Sequence, residues 1–299
     1  MTSETTAEGH RVTQTLPALR CLGIDVPPAL LARWAGWFAP PTQPFLTDPE
    51  LLARLGMTVS TAPLPAELRD TYEVYGTSVG VVWLDEATFA GLPRRHRAAL
   101  VRAQVTRERA VVPSVRAWAG VLGGAARAQA DGHRFVWWPS LLAGHEDRVL
   151  AAYVSEGRRP SRHEEVTDAT WAAASGLLPQ ARSLAGTFAD RSGPNCFGTV
   201  MAAAGVPGAD LEWMLREPFE QWLSQTTRPG GCDGDPGTVM VWRSPDGLVQ
   251  HAAVTIGGGW ALHKPSQGWM SPRKVLTVQD VLRSARAAGR RLERHTIVG

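Results

Sequence analysis

Apolar and polar positions follow two different periods along this chain. Between residues 28 and 130, apolar side chains recur every three to four positions, predicting helices over 28–38, 48–55, 65–72, 94–109 and 114–130 separated by proline and glycine turns. Another helical period covers 146–154. A β-like run over 72–84 interrupts the series, and Phe135-Val136-Trp137-Trp138-Pro139 forms an aromatic cluster. Trp34 and Trp37 stand at helical spacing, which predicts core packing.

Beyond residue 234 the period shortens to two. The turn Gly234-Asp235-Pro236-Gly237 feeds Thr238-Val239-Met240-Val241-Trp242. Ser244-Pro245-Asp246-Gly247 then leads into a run from Leu248 to Ile256, and Gly257-Gly258-Gly259 into Trp260-Ala261-Leu262-His263. Strand-forming runs joined by such turns predict an antiparallel meander. The polar, arginine-rich stretch 156–168 reads as a linker. It divides the chain into a mainly helical N-terminal region, 1–165, and an α+β domain, 166–299, that also takes in a helical stretch over 169–188 broken at Pro179.

Residues 195–204 predict a short buried helix ending at Gly205, with Asn195 as N-cap and Cys196 in the first turn. Free amide N–H groups and the helix dipole favour a thiolate there, so this position predicts a thiol pKa below the usual value of about 8.5. A thiolate is the form that attacks carbonyls.

His251 and His263 lie on the second and third strands of the meander. A three-residue loop over 257–259 pairs Ile256 with Trp260 and puts Ala253 opposite His263, with His251 its diagonal neighbour on the same face. A loop of two or four residues sends the rings to opposite faces. In the first register, His251 is the expected general base for Cys196, and His263 the group that orients it.

Length and composition set the outer bounds. At 299 residues and 44% hydrophobic, the chain can bury a large core and holds one or two domains. No apolar stretch approaches the roughly 18 residues of a membrane span. Cys21, Cys196 and Cys232 are odd in number and irregularly spaced, which fits reduced thiols better than a disulfide framework or a zinc site. No phosphate loop or metal-ligand spacing occurs, so no cofactor or metal is expected. A net charge of +3 argues against nucleic acid as a partner. The arginines between 283 and 294 read as the solvated face of a helix capped by Thr277, with Asp280 three residues on. The start of the sequence lacks a basic stretch followed by an apolar core, so a cytoplasmic location is expected. Oligomeric state is left open by the sequence.

The order of these segments resembles the NlpC-type cysteine peptidases, a papain-like group that mostly cuts cell-wall peptides. The resemblance covers residues 190–275 and rests on four segments: Asn195-Cys196-Phe197-Gly198, Gly234-Asp235-Pro236-Gly237, His251-Ala252-Ala253-Val254-Thr255-Ile256-Gly257 and Ala261-Leu262-His263. It implies a papain-like α+β domain with Cys196 as nucleophile, His251 as base and His263 as the third, polar member. Where that family usually has Asp-Cys-Ser-Gly, this chain has Asn195 and Phe197. The loss of that carboxylate and hydroxyl predicts a substrate other than the usual wall peptide. Asn195 and Phe197 are then the expected oxyanion-side or substrate-binding residues, and the substrate is a small-molecule or peptide amide. Acyl transfer to water makes an amidase or peptidase, and transfer to another nucleophile makes an acyltransferase or cyclase. A catalytically inactive binding module is the alternative from a different class.

Overall fold

The computed structural model describes residues 19–60, 63–75, 80–106 and 111–298. The first strands, β1 (Leu19–Cys21) and β2 (Ile24–Val26), form a hairpin leading into the helix Pro28–Phe38. That helix starts on a proline at its first position, where the missing N–H costs nothing, and buries Leu30, Leu31, Trp34 and Phe38 along one stripe. β3 (Thr42–Thr47) pairs antiparallel with β4 (Gly80–Asp85). Of the β-like run over 72–84, only its end is a strand; residues 76–79 lie outside the described residues, as does the 107–109 end of the predicted 94–109 helix. The predicted 114–130 helix is two helices, Val115–Leu122 and Ala125–Ala128. They are split at Gly123, whose φ of 54° suits a residue without a Cβ.

The C-terminal part is built on a six-stranded antiparallel sheet. Its strands are β5 (Thr227–Pro229), β6 (Pro236–Arg243), β7 (Val249–Gly257), β8 (Trp260–His263), β9 (Lys274–Thr277) and β10 (Arg291–Ile297), in the order β5-β10-β6-β7-β8-β9. The meander expected from the sequence is its β6-β7-β8 centre. Helices Asp168–Ala174, Ala181–Leu184, Cys196–Ala203 and Arg216–Thr226 share a core with Val239, Val241, Ala252, Val254, Ile256 and Leu262. Met240, Trp242, Ala253, Ala261 and Leu276, alternate residues of the same strands, share a second core with Val278 and Val281 of the helix Val278–Ser284. With helices set apart from antiparallel strands, the architecture is α+β.

Thr277 caps the Val278–Ser284 helix, accepting from the Asp280 N–H at 3.1 Å. The arginines beyond it do not continue that helix. The chain reverses at Gly289, and Arg291 and Arg294 belong to β10, where Arg294 pairs with Asp233 at 2.7 Å and Arg291 with Glu293 at 2.7 Å.

Two further cores lie N-terminal of residue 155, one of them reached by a loop from the C-terminal part. Trp269 and Met270 insert among Trp34, Leu141, Leu150 and their neighbours. Among the described residues, no helix is long and apolar enough to cross a membrane.

Candidate functional site

Cys196 is the first residue of the helix Cys196–Ala203, and Asn195 is its N-cap. The Asn195 amide is engaged at both ends: Oδ1 accepts from Gly198 N–H at 3.1 Å, and Nδ2 donates to the Met214 carbonyl at 2.7 Å. The Phe197 ring stacks on Phe219 with centroids 4.6 Å apart. The two side chains expected beside an oxyanion or substrate are thus committed to the cap and the core. The donors left at the helix start are backbone N–H groups; those of Cys196 and Phe197, together with that of Ala252 on β7, favour the charged form of the sulfur.

The histidines meet through a register that the loop length alone does not give. Gly257 pairs with Trp260, leaving a two-residue turn, which by itself sends the rings to opposite faces. Thr255 pairs with Ala261 and Val254 with Leu262, so Ile256 is an extra residue, a bulge that shifts the register by one. Turn and bulge together place Ala253 opposite His263 and return both histidines to one face. Their ring centroids are 5.8 Å apart in an edge-to-face arrangement, and the His251 ring lies 5.3 Å from that of its cross-strand neighbour Trp242.

Strand alternation also fixes how these rings relate to Cys196. Ala252, Val254 and Leu262 face the nucleophile helix, whereas His251 and His263 share the face of Trp242 and Ala253. The sulfur therefore meets the strand at the Ala252 N–H, one residue from His251. Among the described residues no hydrogen bond joins the sulfur to either ring, and neither nitrogen of His263 has a partner.

Burial, more than the helix terminus, sets the protonation states. It pushes the Cys196 thiol up to about 11; the N–H groups of Ala252, Phe197 and Cys196 and the charge of Lys264 pull the other way but are outweighed. Burial takes His251 down to about 4, with Arg290 adding to the shift. His263 falls well below the ordinary value for the same reason, reinforced by His251 and Lys274. At neutral pH the resting site thus holds a protonated thiol and two neutral imidazoles, in place of the thiolate the helix start predicts.

Lys264, adjacent to His263 in sequence, also belongs to this site. It is fully buried, and desolvation together with Arg273 brings it down to about 7. Asp70 contributes from the N-terminal part; it is buried, with Oδ1 receiving the Tyr75 hydroxyl at 2.7 Å and Oδ2 unpartnered. The nearby Glu67 carboxylate accepts the Ser192 N–H at 3.2 Å, tying the loop before Cys196 to the helix Ala66–Thr71. Cys232 is exposed, and Cys21 is buried against Ser155. A cleft of about 720 Å³, with Phe38, Trp118, Trp137 and Tyr153 in its walls, lies in the N-terminal part and includes none of the site residues. Among the described residues no cluster of three or more His, Cys, Asp or Glu is placed to hold a metal ion.

No family model, curated protein or solved structure matches this chain. The likeness to NlpC-type peptidases therefore rests on the residues themselves.

Buried neutral bases make the fold acid-sensitive. A histidine held at about 4 in the folded chain but near 6.5 when unfolded binds its proton more readily in the unfolded state throughout that interval. Its contribution to stability is complete above pH 6.5 and is lost as pH falls towards 4. Lys264 acts in the same sense between 10.5 and about 7. Urea midpoints are expected to rise steadily from pH 4.5 through 6.5 to 8.5, with His263→Leu flattening the lower half. A midpoint independent of pH in the wild type contradicts these protonation states.

Proposed function

We propose that residues 166–299 form a papain-like domain that carries out cysteine-dependent acyl transfer, most simply hydrolysis of an amide or peptide bond in a cytoplasmic substrate. The observation that carries the reading is the position of Cys196: first in a buried helix, with three backbone N–H groups around its sulfur, on a sheet whose adjoining strands bring His251 and His263 together. In this reading the sulfur attacks the carbonyl carbon and gives its proton to His251, whose ring must first come round from the opposite face of β7, while the N–H groups receive the developing oxyanion, each such donor being worth about 3 kcal/mol elsewhere. Collapse breaks the C–N bond, and the amine leaves with the proton held by His251. Water, or another nucleophile in a transferase or cyclase, then attacks the thioester and restores the thiol. His263 is the orienting member in this reading, packing edge-on against the His251 ring.

The test is turnover of a panel of N-acyl p-nitroanilides and acyl thioesters. His251→Ala is expected to lower the rate about 10²- to 10⁴-fold, the usual range for a positioned general base, and Cys196→Ala to abolish it. Full activity in Cys196→Ala refutes the proposal.

A second reading, an inactive binding module, is favoured by the same burial that keeps the thiol protonated and by the absence of a sulfur–imidazole hydrogen bond. Its mark is ligand binding unchanged by loss of both Cys196 and His251.

A further inference from the structure

Of the 31 lysine and arginine residues in this chain only two are lysine, Lys264 and Lys274, and both are buried. Lysine is seldom buried completely, and a buried ammonium is costly unless its charge is met by partners. Lys264 Nζ donates to the carbonyls of Ser266 at 2.7 Å, Gly268 at 3.2 Å and Ser271 at 2.7 Å. These bonds use all three N–H groups of an ammonium, so the loop that follows β8 closes around the charged form.

The contacts of this loop show where that charge is held. Gly193 N–H donates to the Gln267 carbonyl at 2.9 Å and Trp269 N–H to Ser192 Oγ at 3.1 Å, so the loop that holds the ammonium runs beside the segment leading into Cys196. Lys264 directly follows β8, whose Leu262 faces the Cys196 helix from the side of the sheet that His251 and His263 do not share. The charged and titratable groups that act on Lys264 are Arg273, which disfavours its charge, and Cys196 and Asp70, which favour it.

We propose that Lys264 is a positioning residue for Cys196: its ammonium, fixed by three carbonyls of a loop bonded to the segment before Cys196, is the counter-charge of the Cys196 thiolate. This deepens the acyl-transfer reading by naming the group that makes the nucleophile ionise. With Lys264 already charged, the thiol gives its proton to the base of the reaction and the new thiolate is met by a positive charge held in the core.

The experiment is iodoacetamide labelling of the folded full chain from pH 6 to pH 9.5, with each cysteine peptide quantified by mass spectrometry and exposed Cys232 as internal reference. Lys264→Gln keeps two donors for the carbonyls and removes the charge. It is expected to slow Cys196 labelling at pH 7.5 about tenfold, the effect of a one-unit rise in thiol pKa on the thiolate fraction, with Cys232 unchanged. Lys264→Arg, charged at every pH, is expected to restore the rate and to exceed the wild type above pH 8, where Lys264 gives up its proton. An unchanged Cys196 profile in folded Lys264→Gln overturns the proposal, as does Lys264→Arg slowed as much as Lys264→Gln. Should the glutamine variant not fold, the arginine variant alone decides, and a rate equal to or below the wild type above pH 8 overturns the proposal. Labelling that depends on Lys264 without acyl transfer on any substrate upholds the counter-charge and refutes the function. Cys196 inert in every folded variant refutes both.

Discussion

Trp269→Ala is expected to separate the two halves of the molecule. Trp269 leaves the C-terminal part in the loop that closes on Lys264, yet it is fully buried in the N-terminal core, with ring centroids 5.3 Å from Trp34, 5.8 Å from Trp37 and 6.1 Å from Tyr153. Its Nε1 donates to Thr71 Oγ1 at 2.8 Å and its backbone N–H to Ser192 Oγ at 3.1 Å, so it also anchors the loop before Cys196. Removing a buried tryptophan costs about 3–5 kcal/mol through lost burial and the cavity left behind, and here Thr71 Oγ1 also loses the bond it accepts, keeping only its donation to the Glu67 carbonyl. For a unit of this size that is a fall in melting temperature of about 10 °C. Calorimetry is expected to resolve two transitions in place of one. A single transition within about 2 °C of the wild type, less than one kcal/mol predicts, shows that the halves are held together elsewhere. Trp269→Phe restores most of the packing but not the bond to Thr71, and falls in between.

Gly198→Ala is expected to be destabilising although it lies within a helix. Alanine normally gains about 0.5–1 kcal/mol over glycine in a helix interior. At Gly198 a Cβ falls 2.1 Å from the Ala209 carbonyl oxygen and 3.1 Å from its carbon, so the 208–214 loop must move away from the nucleophile helix. That loop also holds Asn195 through the Met214 carbonyl, so the displacement loosens the cap as well. Overpacking of this kind costs about 1–3 kcal/mol, and a clash with backbone belongs at the upper end. Gly120 is the control: it lies in the helix Val115–Leu122 with nothing near its Cβ position, and Gly120→Ala is expected to stabilise by up to about 1 kcal/mol. Urea midpoints of the two variants are expected to move in opposite directions. A neutral or stabilising Gly198→Ala contradicts the packing of the loop on the helix.

The features legible in the sequence are those set by local chemistry. Asn195 and Thr277 start helices because their side chains satisfy free N–H groups, a signal carried within four residues. The β6-β7-β8 meander is legible because apolar alternation and glycine turns coincide. β9 and β10 carry no such signal: Lys274–Thr277 is four residues long, and Arg291–Ile297 presents half-buried charged side chains that alternate without an apolar face. The histidine register depends on the bulge at Ile256, which no loop-length rule supplies. The protonation states depend on how deeply Cys196, His251 and His263 are covered by residues distant in sequence, so a helix terminus that favours a thiolate is outweighed by burial that sequence does not display. Lys264 carries a sequence signal of its own, a lysine directly after His263 in a chain whose other basic residues, Lys274 apart, are arginine. Its meaning emerges only from the carbonyls around it.

The most direct test of the acyl-transfer account is the mass of the intact protein after rapid acid quench of a reaction with a p-nitrophenyl acyl ester, followed by peptide mapping. The account predicts an adduct equal to the acyl group on Cys196, released on standing at neutral pH, reduced in His251→Ala and absent in Cys196→Ala. Native protein that remains unmodified at Cys196, or carries the acyl group only on exposed Cys232, contradicts it.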